Sequence, residues 1–158
     1  TNVQAEEQSI EQAQRDIYES HRHRIFSLAF YMTGSELLAE EMVKETFVAA
    51  FTAMPEADRR AIDCSLMRQL NSQFSLADIE TEAPISARAG IRLRNMRRTD
   101  LEEALQQLPA AERLIFLLRD VEGYSPDEIS ELANIQQMQV NRTLFSARMR
   151  LRSILAES

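Results

Sequence analysis

Apolar side chains recur along this chain at spacings of three and four residues, in runs separated by short polar breaks. That period belongs to amphipathic helices; half-buried strands alternate every second residue. Residues 8–33 carry Ile10, Ala13, Ile17, Ile25, Leu28 and Ala29 at helical spacing and predict a first helix. "TGS" at 33–35 breaks it, with Gly34 fitted to a C-terminal stop and Ser35 to the N-cap of the next helix. Residues 36–53, "ELLAEEMVKETFVAAFTA", put Leu38, Met42, Val43, Phe47, Ala50 and Phe51 on one side. Glu40, Glu41, Lys44, Glu45 and Val48 fall on the other. Pro55 closes that helix, and residues 57–74 predict a third with Ile62, Leu66, Met67, Leu70 and Phe74 inward.

The texture then changes. "SLADIETEAPISARAGIRLRNMRRTD" (75–100) runs from acidic residues through Pro84 and Gly90 to five arginines between 88 and 98, and predicts a linker. Beyond it, residues 101–107 predict a short helix ended before Pro109. Residues 110–121 predict another, with Leu114, Ile115, Leu117, Leu118 and Val121 apolar. Ser125-Pro126-Asp127-Glu128 is a capping box with proline at the first helical position, so a further helix starts there. Ala133-Asn134 turns the chain, because asparagine tolerates the left-handed conformation. A last helix over about 137–156 follows, with Val140, Leu144, Ala147, Leu151 and Ile154/Leu155 on one side. The prediction is an all-α chain of two helical lobes, residues 8–74 and 100–158, joined by a linker over 75–99.

Composition agrees with this and narrows the function. Among 158 residues, Gly 3 and Pro 4 are too few for a turn-rich β fold. No apolar run reaches the ~18–20 residues that span a bilayer, so membrane insertion is not expected. "TNVQAEEQSI" lacks the basic start and apolar stretch of a signal peptide. The single cysteine, Cys64, is expected to be a small buried thiol, and its isolation fits a reducing cytoplasm. His21 and His23 are two apart on different sides of a helix and lack metal-ligand spacing; they are expected at the surface. No phosphate loop, serine elbow or Cys–His arrangement occurs, so neither a catalytic site nor a cofactor is expected.

The net charge of −7 is unevenly spread. Residues 1–90 hold 15 acidic and 8 basic side chains, whereas residues 91–158 hold 10 of each. The last 24 residues carry four arginines against one glutamate. A local basic patch docks on phosphates even where the chain as a whole is acidic.

The stretch "GYSPDEISELANIQQMQVNRTLFSARMR" (123–150) has the order capped helix, turn, helix. In a DNA-reading helix-turn-helix the second helix lies in the major groove and is held from behind by apolar contacts. Ile129, Leu132, Ile135, Val140 and Leu144 are the expected anchors. Gln136, Gln137, Gln139, Asn141, Arg142 and Ser146 are then expected to point outward, with Arg148, Arg150 and Arg152 along the flank. Gln and Asn pair with adenine edges and Arg with guanine edges, and all three bond phosphates. The alternative is a helical hairpin with a solvated polar face, whose terminal arginines complement the helix dipole.

The wider pattern over residues 101–155 resembles region four of bacterial sigma factors, particularly the extracytoplasmic-function (ECF) class. Leu108-Pro109, Glu112, Gly123-Tyr124-Ser125, Glu128-Ile129, Val140, Leu144, Ala147-Arg148 and Leu151-Arg152 carry that likeness. Residues 25–51, "IFSLAFYMTGSELLAEEMVKETFVAAF", are similar to the opening of sigma region two. There Ala39-Glu40-Glu41, Val43, Glu45 and Phe47 match the family motif, while Lys44 stands where glutamine is usual. The resemblance implies that the helix carrying Glu40, Glu41, Lys44, Glu45 and Val48 docks on the clamp of the largest subunit of core RNA polymerase. It also implies that the last helix reads a −35-like promoter element, and that an anti-sigma factor holds the protein inactive. From the residues alone, Glu41, Lys44, Glu45 and Val48 form one stripe with an apolar edge, suited to a partner helix; the alternative is a solvated face supported by Glu40–Lys44 pairing.

The chain also departs from the family. The promoter-opening segment normally carries a "W-L-Y-R-I-A-R-N" stretch and then a basic run. Residues 65–84 here keep Arg68 and Asn71, but no tryptophan is present, Met67 replaces the tyrosine, and Asp78, Glu80 and Glu82 replace the basic run. Unpaired bases are held by aromatic stacking inside a positive groove, so this segment is expected to open DNA poorly by itself. The leading expectation is an ECF-type sigma factor. Its rivals are a degenerate sigma-like module that binds an anti-sigma factor or polymerase without opening promoters, and a helical regulator that binds duplex DNA without polymerase.

Overall fold

The computed structural model describes residues 2–74 and 98–156. The chain divides into two compact units, residues 1–73 and 74–158. The expected linker over 75–99 lies outside the described residues, apart from Arg98 and Thr99, which begin a helix. Among the described residues there are helices and turns but no strand, and no helix is long and apolar enough to cross a membrane.

The first unit is built from α1 (Asn2–Thr33), α2 (Glu36–Ala53) and α3 (Arg59–Gln73), all in mutual contact. α1 starts six residues before the apolar pattern does. Its first turns are polar and exposed, built from Gln, Ala and Glu that favour helix without packing. Gly34 sits at φ 70 and ends α1, its N–H donating to the Phe30 carbonyl at 2.7 Å. Ser35 caps α2, its Oγ accepting from the Leu38 N–H at 3.3 Å. Asp58 does the same for α3, accepting from the Ala61 N–H at 2.8 Å, so that helix starts at Arg59 and not at residue 57.

Ile25, Leu28, Ala29 and Met32 of α1 are buried together with Ala39, Met42, Val43, Phe47 and Ala50 of α2 and Ile62, Leu66, Met67 and Leu70 of α3. Leu38, expected inward, is 41% exposed because it lies in the first turn of α2, short of the packed stretch. Two polar ties fix the helices. The Ser65 hydroxyl donates to the Thr46 carbonyl at 2.7 Å between α3 and α2, and Arg24 of α1 pairs with the buried Asp63 of α3 at 2.7 Å. Cys64 is half-buried, not fully enclosed as expected. His21 is also half-buried, its Nδ1 3.2 Å from the Arg24 guanidinium, whereas His23 is exposed.

The second unit comprises α4 (Arg98–Gln106), α5 (Ala110–Phe116) continued by a π-helical turn (Leu117–Val121), α6 (Pro126–Ala133) and α7 (Gln137–Ala156). α7 packs against α4, α5 and α6. The π turn replaces the regular helix expected over 110–121. The Glu122 N–H donates to the Leu117 carbonyl and the Tyr124 N–H to the Leu118 carbonyl, both at 2.9 Å. Its wider winding keeps Leu117 and Leu118 buried and leaves Val121, the last apolar residue of the run, 50% exposed. Arg113 is buried, and burial lowers its pKa. Its guanidinium donates to the carbonyls of Leu105 at 2.7 Å and Leu108 at 3.0 Å, closing the C-terminal end of α4.

Candidate nucleic-acid and partner interfaces

The helix-turn-helix is set by local chemistry. The Ser125 Oγ accepts from the Glu128 N–H and the Glu128 carboxylate accepts from the Ser125 N–H, both at 3.1 Å, completing the capping box of α6. Asn134 closes α6 in the left-handed conformation (φ 55, ψ 49), and the Ser130 hydroxyl donates to the Ile135 carbonyl at 2.5 Å to lock the turn. α7 begins at once. The Gln139 side-chain oxygen accepts from the Gln136 N–H at 3.1 Å, so part of Gln139 serves its own helix start. Val140, Leu144, Ala147 and Leu151 are buried behind α7.

Gln136, Gln137, Gln139, Asn141, Arg142 and Arg148 are exposed. Ser146 is not: it is 3% exposed, and its hydroxyl donates to Glu112 at 2.5 Å. The outward placement expected for Ser146 is thus corrected. The spacing leaves it beside the buried Ala147, and a buried carboxylate on α5 accepts its hydrogen bond. Glu112 also holds Arg150, whose Nε lies 3.0 Å from both carboxylate oxygens. Arg148 is committed as well, to Asp120 on the π turn. Of the three arginines expected along the flank, Arg148 and Arg150 are held by carboxylates and Arg152 is exposed, as is Arg142 at the front of the helix.

Met138 (66% exposed) and Phe145 (64% exposed) share this face with Arg142. Neither was among the residues expected at an interface, although the signal was present: they stand out of phase with the buried Val140–Leu144–Ala147–Leu151 series.

On α2, Glu40, Glu41, Lys44, Glu45 and Val48 are all exposed, Val48 at 60%. Leu37, 77% exposed, extends the stripe towards the helix start. Beside it an open groove of about 660 Å³ runs between α1 and α2, lined among others by Tyr18, Arg22, Phe26, Glu40 and Lys44. The α3 face shows Arg68 and Asn71 to solvent, while Met67 is buried in the core at 5% exposure. The acidic Asp78, Glu80 and Glu82 lie outside the described residues.

Comparison with known proteins gives these surfaces a family. Residues 17–63 match the family described as Sigma-70 region 2, and residues 98–151 match Sigma-70, region 4. The ECF RNA polymerase sigma factor SigE of Mycolicibacterium smegmatis is 25% identical over 161 residues, covering 90% of this chain and 61% of that protein. This chain therefore spans less than two thirds of that relative's length. The sigma factor RpoE of Bartonella quintana, solved in complex with the anti-sigma factor NepR, has the same fold. Its TM-score is 0.68 at 17% identity, over 90% of this chain and 98% of that one. The chain belongs to the sigma-70 family, in its extracytoplasmic-function class.

Proposed function

We propose that this chain is a sigma subunit that directs core RNA polymerase to promoters and initiates transcription. The observation that carries the reading is that both family regions occur in one chain, each with its working helix exposed. Glu40, Glu41, Lys44, Glu45 and Val48 of α2 form the polymerase-binding face, directed to the clamp of the largest subunit. Gln136, Gln137, Gln139, Asn141, Arg142 and Arg148 of α7 form the DNA-reading face. The acidic first unit suits a protein partner, and it limits indiscriminate adhesion to DNA. An anti-sigma factor is the proposed negative regulator, supported by the fold shared with a sigma factor crystallised with one. The work is assigned to the cytoplasm, where polymerase and promoters are.

Co-elution of the chain with purified core polymerase tests the first half of this reading. The complex should form at micromolar concentration, and Val48→Asp should disrupt it. Absence of a complex with the wild-type chain would overturn the sigma reading and leave a regulator that binds duplex DNA without polymerase, or a module that binds only an anti-sigma factor.

A second reading has a specific observation behind it. Met67, at the tyrosine position of the promoter-opening motif, is buried, and among the described residues α3 exposes no aromatic side chain for stacking. A module that binds polymerase or an anti-sigma factor without opening promoters has the same two surfaces and lacks this one. Holoenzyme that forms and never opens a promoter would establish it.

A further inference from the structure

The face of α7 contains two large apolar side chains left outside the packed core. Met138 and Phe145 are 66% and 64% exposed. A single exposed apolar residue needs no explanation. These two are seven residues apart, close to two full helical turns, so they lie on one face about 10 Å apart along the axis. Asn141 and Arg142 stand between them on that face, and an Arg142 nitrogen lies 3.9 Å from the Met138 sulfur. The order along the face is thioether, amide and guanidinium, phenyl.

From this order we infer that Phe145, assisted by Met138, reads thymine methyl groups in the major groove on either side of a base contacted by Arg142. The inference rests on the DNA-reading function proposed for α7. The major-groove edge of thymine presents a C5 methyl beside its carbonyl, and apolar side chains recognise it by contact. A guanidinium pairs with guanine on its O6/N7 edge. Three residues of helix advance about 4.5 Å against a base step of about 3.4 Å, so Arg142 and Phe145 reach pairs one or two steps apart. The charge around the pair selects the occupant. α7 contains no acidic residue, and Arg142 and Arg152 are exposed cations on the same helix. An apolar protein partner needs neither feature, whereas a duplex needs both apolar contact with its methyl groups and cations for its phosphates.

The test replaces thymine with deoxyuridine, which removes the methyl and nothing else. Duplexes are first selected from a random library by the full chain, alone and with core polymerase added. In a selected duplex, each thymine is then exchanged in turn and affinity is measured by fluorescence polarisation. At one or two positions the exchange should weaken binding by about fourfold for the wild-type chain, the effect of one methyl no longer buried. With Phe145→Ala the same exchange should have no effect, and with Phe145→Leu part of it should return. Phe145 is exposed, so neither variant disturbs the core. If every exchange is neutral, or the penalty persists in Phe145→Ala, the methyl-reading role is overturned while DNA reading stands. If no duplex is selected, the DNA-reading function fails and takes this inference with it. If Phe145→Ala leaves all duplex affinities intact but abolishes binding of an anti-sigma protein, the face belongs to a protein partner.

Discussion

Arg148 of α7 and Asp120 of the π turn are joined by two parallel hydrogen bonds. The Arg148 Nε donates to one carboxylate oxygen at 2.9 Å and a terminal nitrogen to the other at 2.6 Å. The hydrogen bonds it donates to Asp120 raise the pKa of Arg148, and the pair remains partly open to solvent. A forked pair of this kind fixes the guanidinium plane and neutralises a charge on the helix proposed to meet phosphate.

Asp120→Asn removes that neutralisation. We expect non-specific duplex affinity to rise at low salt, and the salt slope to steepen by about 0.9, one additional phosphate neutralised. Stability should fall by no more than about 1 kcal/mol, as for other exposed ion pairs. Polarisation titrations over a potassium chloride series check the first point, and urea melts the second. An unchanged slope means that Arg148 is a structural brace only.

Glu112 is the buried hub of the second unit, receiving the Ser146 hydroxyl and the Arg150 guanidinium. Glu112→Ala should cost about 3–5 kcal/mol, because it strands a half-buried cation. Ser146→Ala should cost about 1–2 kcal/mol and leave the duplex affinity of the folded protein unchanged. Urea midpoints and polarisation measured on the same samples separate the two effects. A lowered duplex affinity with unaltered stability would restore Ser146 to the DNA face.

Arg142→Ala and Gln139→Ala should each weaken binding to a selected duplex, by about 1–3 kcal/mol for every base edge that the removed side chain reads. The Gln139 variant carries an additional small loss of stability, since its side chain also accepts from the Gln136 N–H at the start of α7. Equal affinity for wild type and both variants contradicts the assignment of α7 as the reading helix.

His21 gives the first unit a pH dependence. Partial burial and then the neighbouring Arg24 lower its pKa, with Arg59 acting in the same sense and Asp63 opposing them. The unfolded chain therefore takes up a proton at higher pH than the folded one. Above about 6.5 both states hold a neutral imidazole and His21 contributes no slope. As pH falls through that value stability declines, and it levels off once the folded imidazole is protonated too. Urea midpoints at pH 7.5 and 5.5 should differ less for His21→Gln than for the wild-type chain.

Most of the scaffold was legible in the sequence because its signals are local. Gly34, Ser35, the Ser125–Glu128 capping box and Asn134 each act within four residues, and the buried series of α2 and α7 follow helical spacing. What the sequence hid depends on partners distant along the chain. Ser146 looks like any outward serine until Glu112 is placed behind it, 34 residues away. Arg148 and Arg150 look free until Asp120 and Glu112 are brought to them. The π turn cannot be told from α-helix by spacing, so the exposure of Val121 beside the buried Leu117 and Leu118 is not legible in the sequence. Phe145 and Met138 were missed for the opposite reason: an apolar residue suggests core unless its phase against the neighbouring buried positions is read.

Multi-template transcription in vitro measures whether this chain confers promoter-specific initiation on core RNA polymerase, as proposed for it. Purified core enzyme is combined with the chain, or with buffer, on a library of promoter-bearing duplexes. A sigma subunit should give discrete transcripts from a small subset of templates only when the chain is present, and lose them with Val48→Asp or Arg142→Ala. A stable complex with core polymerase that yields no transcript from any template would contradict that reading, and would make the chain a sigma-like binding module.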